Sequence, residues 1–109
     1  MKPKINAFQK FVEDQLEGIP ELVFRRMFGG FGVYAGGTFF GIIHRERLYF
    51  HTNDATRARY ESCGQTFFTA PGSKKALKKY YEVPLSILEW REKLGEWASE
   101  SINTVGLHE

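Results

Sequence analysis

The sequence predicts an α+β domain of two layers, an antiparallel sheet of about five to six strands with helices packed on one face. Three observations carry this. The middle of the chain, Leu22 to Thr52, consists of short aromatic and β-branched runs separated by two-residue breaks. Apolar residues at helical spacing lie near both ends of the chain. A length of 109 residues, 42% hydrophobic and 26% charged, suits one globular core, taken as a single domain over 1–109.

Phe8, Phe11, Val12 and Leu16 make the stripe of a first helix, with Lys10, Glu13 and Glu17 on its other side. Asn6 caps its start, Gln9 stands in capping-box position and Gly18 stops it. Leu22 to Phe28 reads as a strand ended by Gly29-Gly30. FGVYA and TFFGIIH, joined by Gly36-Gly37, form a hairpin, because glycine takes positive φ at both loop positions without strain. A second hairpin turns at Arg45-Glu46, a pair ill suited to a tight loop.

Asn53 or Asp54 caps a helix that runs through Thr56, Arg59 and Tyr60 to Gly64. QTFFTA is a strand, PGSKK a loop and KYYEV a final strand that Pro84 ends. Ser86 to Glu89 fits a capping box opening the last helix. Its stripe is Ile87, Leu94, Ala98 and Ile102, flanked by Trp90 and Trp97 and weakened at Gly95.

With two residues in each loop, one sheet face carries Phe31, Val33, Phe40, Ile42, His44, Arg47, Tyr49 and His51. The other carries Gly32, Tyr34, Phe39, Gly41, Ile43, Leu48 and Phe50. The second face has no charge, which assigns it to the core beneath the first and last helices. The first holds five large or branched apolar groups, so Phe31, Val33, Phe40, Ile42 and Tyr49 form a candidate interface. A second copy of the chain is the simplest cover, and a homodimer is expected. The alternative is internal cover by the loop around Pro71 or by the middle helix.

Chemistry is sparse. His44 and His51 share a face but lie four residue steps of ~3.3 Å apart in this register, too far for one ion. Gly29-Gly30-Phe31-Gly32 lacks the Lys-Ser/Thr ending of a phosphate loop and precedes a strand. Cys63, the only cysteine, sits at a helix C-terminus, which disfavours the thiolate, and excludes an intrachain disulfide. No nucleophile, base or metal set can be assembled, so the chain reads as non-enzymatic and without a cofactor. Lys74, Lys75, Lys78 and Lys79 beside Tyr80 and Tyr81 are the candidate nucleic-acid contact, against the plainer reading of a solvated loop. The N-terminus has no apolar signal-peptide core and no segment is long enough to span a bilayer, so a cytoplasmic location without membrane contact is expected.

Several segments resemble the N-terminal domain of the TfoX/Sxy family of bacterial competence regulators. They are Arg26-Met27-Phe28-Gly29-Gly30, Gly32-Val33-Tyr34, Gly37 with Phe40, and Leu48-Tyr49-Phe50. The Asp54 to Gly64 segment with Arg57, Phe68, and Tyr80-Tyr81-Glu82-Val83-Pro84 continue the likeness over nearly the whole chain. The resemblance implies a two-layer α+β domain in an intracellular bacterial protein, acting through protein contacts in transcriptional regulation, with no known catalytic residues. Longer members carry a C-terminal domain, and this chain corresponds to the N-terminal module alone. It departs from the family at Gly36, where an acidic residue is common, at His51, where lysine is frequent, and at Arg45-Glu46, where glycine is usual.

Overall fold

The computed structural model describes residues 7–27, 29–70 and 76–106. Its elements are α1 (Ala7–Gln15), β1 (Leu22–Met27), β2 (Gly30–Ala35), β3 (Thr38–His44), β4 (Arg47–His51), α2 (Asp54–Ser62), β5 (Phe67–Thr69), β6 (Ala76–Glu82), α3 (Leu85–Leu88) and α4 (Arg91–Gly106). The described strands form one six-stranded sheet in the order β1-β2-β3-β4-β6-β5, with every neighbouring pair antiparallel. The predicted α+β class holds.

The β2–β3 and β3–β4 connections are two-residue turns, since Ala35 pairs with Thr38 and His44 with Arg47, and β1 and β2 pair from Leu22–Ala35 to Met27–Gly30. Gly36 and Gly37 take φ of 56° and 85°. Arg45 and Glu46 take the same left-handed conformation, at 53° and 62°, without glycine's freedom. Gly30 is required for a different reason: a Cβ there would stand 2.0 Å from the carbonyl oxygen of Ile43.

Both predicted turns are therefore correct, yet the predicted faces are not. Tyr34 pairs with Phe39, but the next pair is Val33 with Gly41, which leaves Phe40 as an extra residue in β3. This β-bulge reverses the phase of Gly41–His44 and of β4 relative to β2 and the start of β3. Phe31, Val33, Phe40, Ile43, Leu48 and Phe50 consequently belong to the large cluster beneath the helices. Phe39, Ile42 and Tyr49 belong to a smaller cluster on the outer face. The Ser101 hydroxyl of α4 donates to the Phe40 carbonyl oxygen at 3.1 Å, giving a buried polar group its partner at the bulge.

Val12 of α1, Leu16 just beyond its end, and Leu94 and Ala98 of α4 fill the helix side of that core. Ser101 and Thr104 continue the buried stripe of α4, where the sequence predicts Ile102; Ile102 and Ile87 pack at its margin. α2 starts with the expected Asn53 cap, closed by a reciprocal bond with Thr56. The Asn6 cap expected for α1 lies outside the described residues.

The last helix starts later than predicted. Pro84, not Ser86, occupies the N-cap of a single turn, α3, and the chain breaks at Glu89 before α4 begins at Arg91. The break lets Leu88 drop into the core while its carbonyl accepts a bond from Gln15 Nε2 at 3.0 Å. A continuous helix would leave that carbonyl to Glu92 and lose the tie to α1.

Candidate interaction surfaces

The outer face has its own cover. Phe68, from the far edge of the sheet, lies 5.0 Å from the Tyr49 ring and 5.5 Å from that of His44. The β5–β6 register jumps from Phe67–Tyr81 to Phe68–Leu77, and this irregularity lets the ribbon curl over β3 and β4. Ile42 is sealed beneath it with Phe68, Ala70 and Tyr80. Burial, with the positive charge of Arg45 second, lowers the pKa of His44 from its ordinary 6.5.

Beside this roof runs a row of stacked rings. Tyr34 and Phe39 stand 5.1 Å apart, Phe39 and Tyr80 5.0 Å, and His51 meets Tyr80 edge-on at 5.1 Å. The row is closed at one end by the Arg25 guanidinium, 5.5 Å from the Tyr34 centroid. At the other end His51 Nδ1 lies 2.7 Å from the Thr104 hydroxyl of α4. The Tyr80 hydroxyl donates to the Phe39 carbonyl oxygen, and burial, then Tyr34, pushes its pKa well up. Because each ring lies against its neighbour, the row turns edges rather than faces outward. It offers little to a stacking nucleobase.

The five residues of the predicted interface do not form one surface. Val33, Phe40 and Ile42 have 0% exposure, and they are buried on opposite sides of the sheet. Phe31 is half-buried on the helix side, and Tyr49 is half-buried beneath Phe68. Of the predicted nucleic-acid contacts, Lys74 and Lys75 lie outside the described residues. Lys78 and Lys79 are exposed on β6 and have no ion-pair partner among the described residues. Several arginines are instead engaged: Arg47 with Glu82, Arg57 with Asp54, Arg59 with Glu100 and Arg91 with Glu17.

What the sequence reading missed is the free side of β1. Val23 is 45% exposed, Arg25 and Arg26 are exposed, and neither arginine has an acidic partner among the described residues. Arg26 sits 5.7 Å from the Phe31 ring and lines an open cleft of about 780 Å³ with Phe8, Gly30, Arg45 and Glu46. The signal in the sequence was the Arg-Arg pair inside an otherwise apolar strand. Strand order, which makes β1 an edge, was not legible. Cys63 is exposed at the end of α2. Among the described residues no three His, Cys, Asp or Glu side chains gather as metal ligands would, and no helix is long and apolar enough to cross a membrane.

A comparison with curated protein sequences found no match. The family model of the TfoX N-terminal domain matches residues 14–105, from the end of α1 through nearly all of α4. The matched span takes in the whole sheet and its RMFGG and YYEVP segments. The chain therefore belongs to the TfoX N-terminal domain family.

Proposed function

We propose that this domain is a non-enzymatic interaction module that acts by binding another protein, in transcriptional regulation of the competence type and in the cytoplasm. The observation that carries the reading is the side of β1, where an exposed valine and two arginines without an acidic partner among the described residues flank an edge that no described strand covers. Such an edge is a ready template for another chain. The homodimer that the sequence predicts would need a different surface, because Val33, Phe40 and Ile42 have no exposed area. The partner in this reading is a different protein.

A second reading, nucleic-acid binding, is favoured by Lys78 and Lys79, which stand exposed on β6 without ion-pair partners among the described residues. The two readings separate in one experiment. The tagged chain is used to capture partners from its native host, with and without nuclease, and captured proteins are rebound in purified form by calorimetry. The protein reading expects a saturable partner that survives nuclease. Recovery of nucleic acid alone, with affinity falling steeply as salt rises and flattening when Lys74, Lys75, Lys78 and Lys79 are replaced, would transfer the function to the second reading.

A further inference from the structure

We propose that the outer edge of β1 binds an extended acidic segment of a partner protein as a seventh, antiparallel strand. This rests on the protein-contact reading and names its surface and the chemistry of its ligand.

The two edges of the sheet are unequal. β5 has three residues, whereas β1 has six and runs without a described neighbour on its outer side. The Gly36 N–H donates to the Glu21 carbonyl at 3.0 Å, which sets the phase of the β1–β2 ladder. Antiparallel bonding alternates, so Val23, Arg25 and Met27 turn their backbone groups toward β2. Leu22, Phe24 and Arg26 turn theirs outward, where no described strand meets them.

Charge selects the occupant. Arg25 lies on the outer face over Tyr34 and Arg26 on the helix face beside Phe31, each guanidinium held against a ring. β1 contains no acidic residue. A second copy added edge to edge would bring four arginines to one short ladder, and like charges in that position are destabilising. A segment with two successive carboxylates places one on each face, beside each arginine. The next two residues then stand opposite Phe24 and Val23 and should be apolar. In antiparallel sense the recognised run, from N- to C-terminus, is acid-acid-apolar-apolar. A nucleic-acid strand would satisfy the cations but could not match the alternating N–H and C=O groups of Leu22, Phe24 and Arg26.

The probe is a capped octapeptide with the central run Glu-Glu-Val-Val, titrated into the nitrogen-15-labelled full chain. Shifts should concentrate in Leu22–Met27 and Gly30–Ala35, with the Phe24 amide newly protected from exchange. N-methylation of the first valine of the probe, opposite Phe24, should weaken binding about tenfold, because it removes a ladder bond and crowds the edge. The double variant Arg25→Gln, Arg26→Gln, whose side chains are exposed, should lose about five- to tenfold. Arg25→Glu with Arg26→Glu should prefer a Lys-Lys-Val-Val peptide.

Equal binding of the N-methylated peptide would reduce the contact to charge alone and overturn the proposal. So would shifts centred elsewhere, a concentration-dependent dimer that protects Phe24 without peptide, or an oligothymidylate that displaces the peptide from these amides. If a captured host protein binds the Arg25→Gln, Arg26→Gln variant unchanged, this surface fails while the protein-contact reading stands. If the peptide behaves as described but no host protein is captured, the edge binds acidic strands while the protein-contact reading fails, and the proposal of a partner protein's segment falls with it.

Discussion

The two faces of the sheet are built from similar residues and closed in different ways. The inner face is covered by all four helices, drawn from both ends and the middle of the chain, and its cluster includes Val12, Phe40, Phe50, Tyr60 and Leu94. The outer face is closed by a local fold-back, in which the three-residue strand β5 lays Phe68 over Ile42, Tyr49 and His44. Apolar composition on both faces therefore does not require a partner on either. What differs is how much structure must come apart to open each one: the whole domain for the inner face, a single ribbon for the outer.

Truncation should show that difference most strongly. Phe40→Ala removes a wholly buried ring from the inner cluster and should cost about 3–5 kcal/mol by denaturant titration. Phe68→Ala should cost less, about 2–3 kcal/mol, because the ribbon can collapse into part of the space. Hydrogen exchange sharpens the contrast. Phe68→Ala should speed exchange locally in β5 and β6, whereas Phe40→Ala should speed it throughout the sheet. Equal and global effects from both would mean that the two faces open as one unit.

Ser101→Ala tests the tie between α4 and the bulge. It leaves the Phe40 carbonyl without its side-chain donor in a buried setting, and a loss of about 1–2 kcal/mol is expected. A loss indistinguishable from zero would mean that the bulge holds without α4.

The turn at Arg45-Glu46 should move stability the other way. Replacing both residues by Asn and Gly gives the left-handed positions residues that accept them, and a gain of about 1 kcal/mol is expected. The same replacement removes Arg45 from the cleft beside Arg26, so a gain in stability with a loss of partner affinity would identify the strained turn as functional.

The smallest effect concerns His44. Its folded pKa lies below 6.5 because charging it is opposed by burial and by Arg45. Below pH 6.5 the unfolded chain then takes up the proton more readily than the folded one. Stability should be complete above that pH and decline as pH falls through the lowered folded value. His44→Gln should flatten this part of the profile, and the ring resonances should titrate below those of a free histidine.

Much of the fold could be read from residues whose chemistry is local. Gly36-Gly37 and the residues flanking Arg45-Glu46 located two hairpins, and Asn53 located α2. The bulge could not be read in the same way. The run Phe39-Phe40-Gly41-Ile42-Ile43 is nearly symmetric about its glycine, so a shift of one residue exchanges phenylalanine for phenylalanine and isoleucine for isoleucine. A period-two pattern carries no phase through such a run, and one face looked like the other. The available clue was Gly41 itself, since a glycine inside a strand often marks a bulge. The bulge divides the candidate interface between the two faces, and the part left on the outer face, Ile42 and Tyr49, is covered by Phe68. The β1 edge was illegible because strand order depends on where β6 inserts, and no local residue encodes that.

The Ser101 contact at the bulge also bears on the order in which the chain can find its structure. Until α4 docks, β2 and β3 can pair without a bulge, Val33 against Phe40 and Phe31 against Ile42, with apolar residues throughout. The contact that favours the bulged pairing comes from 61 residues away, from a helix that follows the whole sheet in the sequence. Commitment to the native phase of the sheet is then a long-range event, paid for in loop-closure entropy, and it sets a late folding barrier that neither hairpin turn can lower.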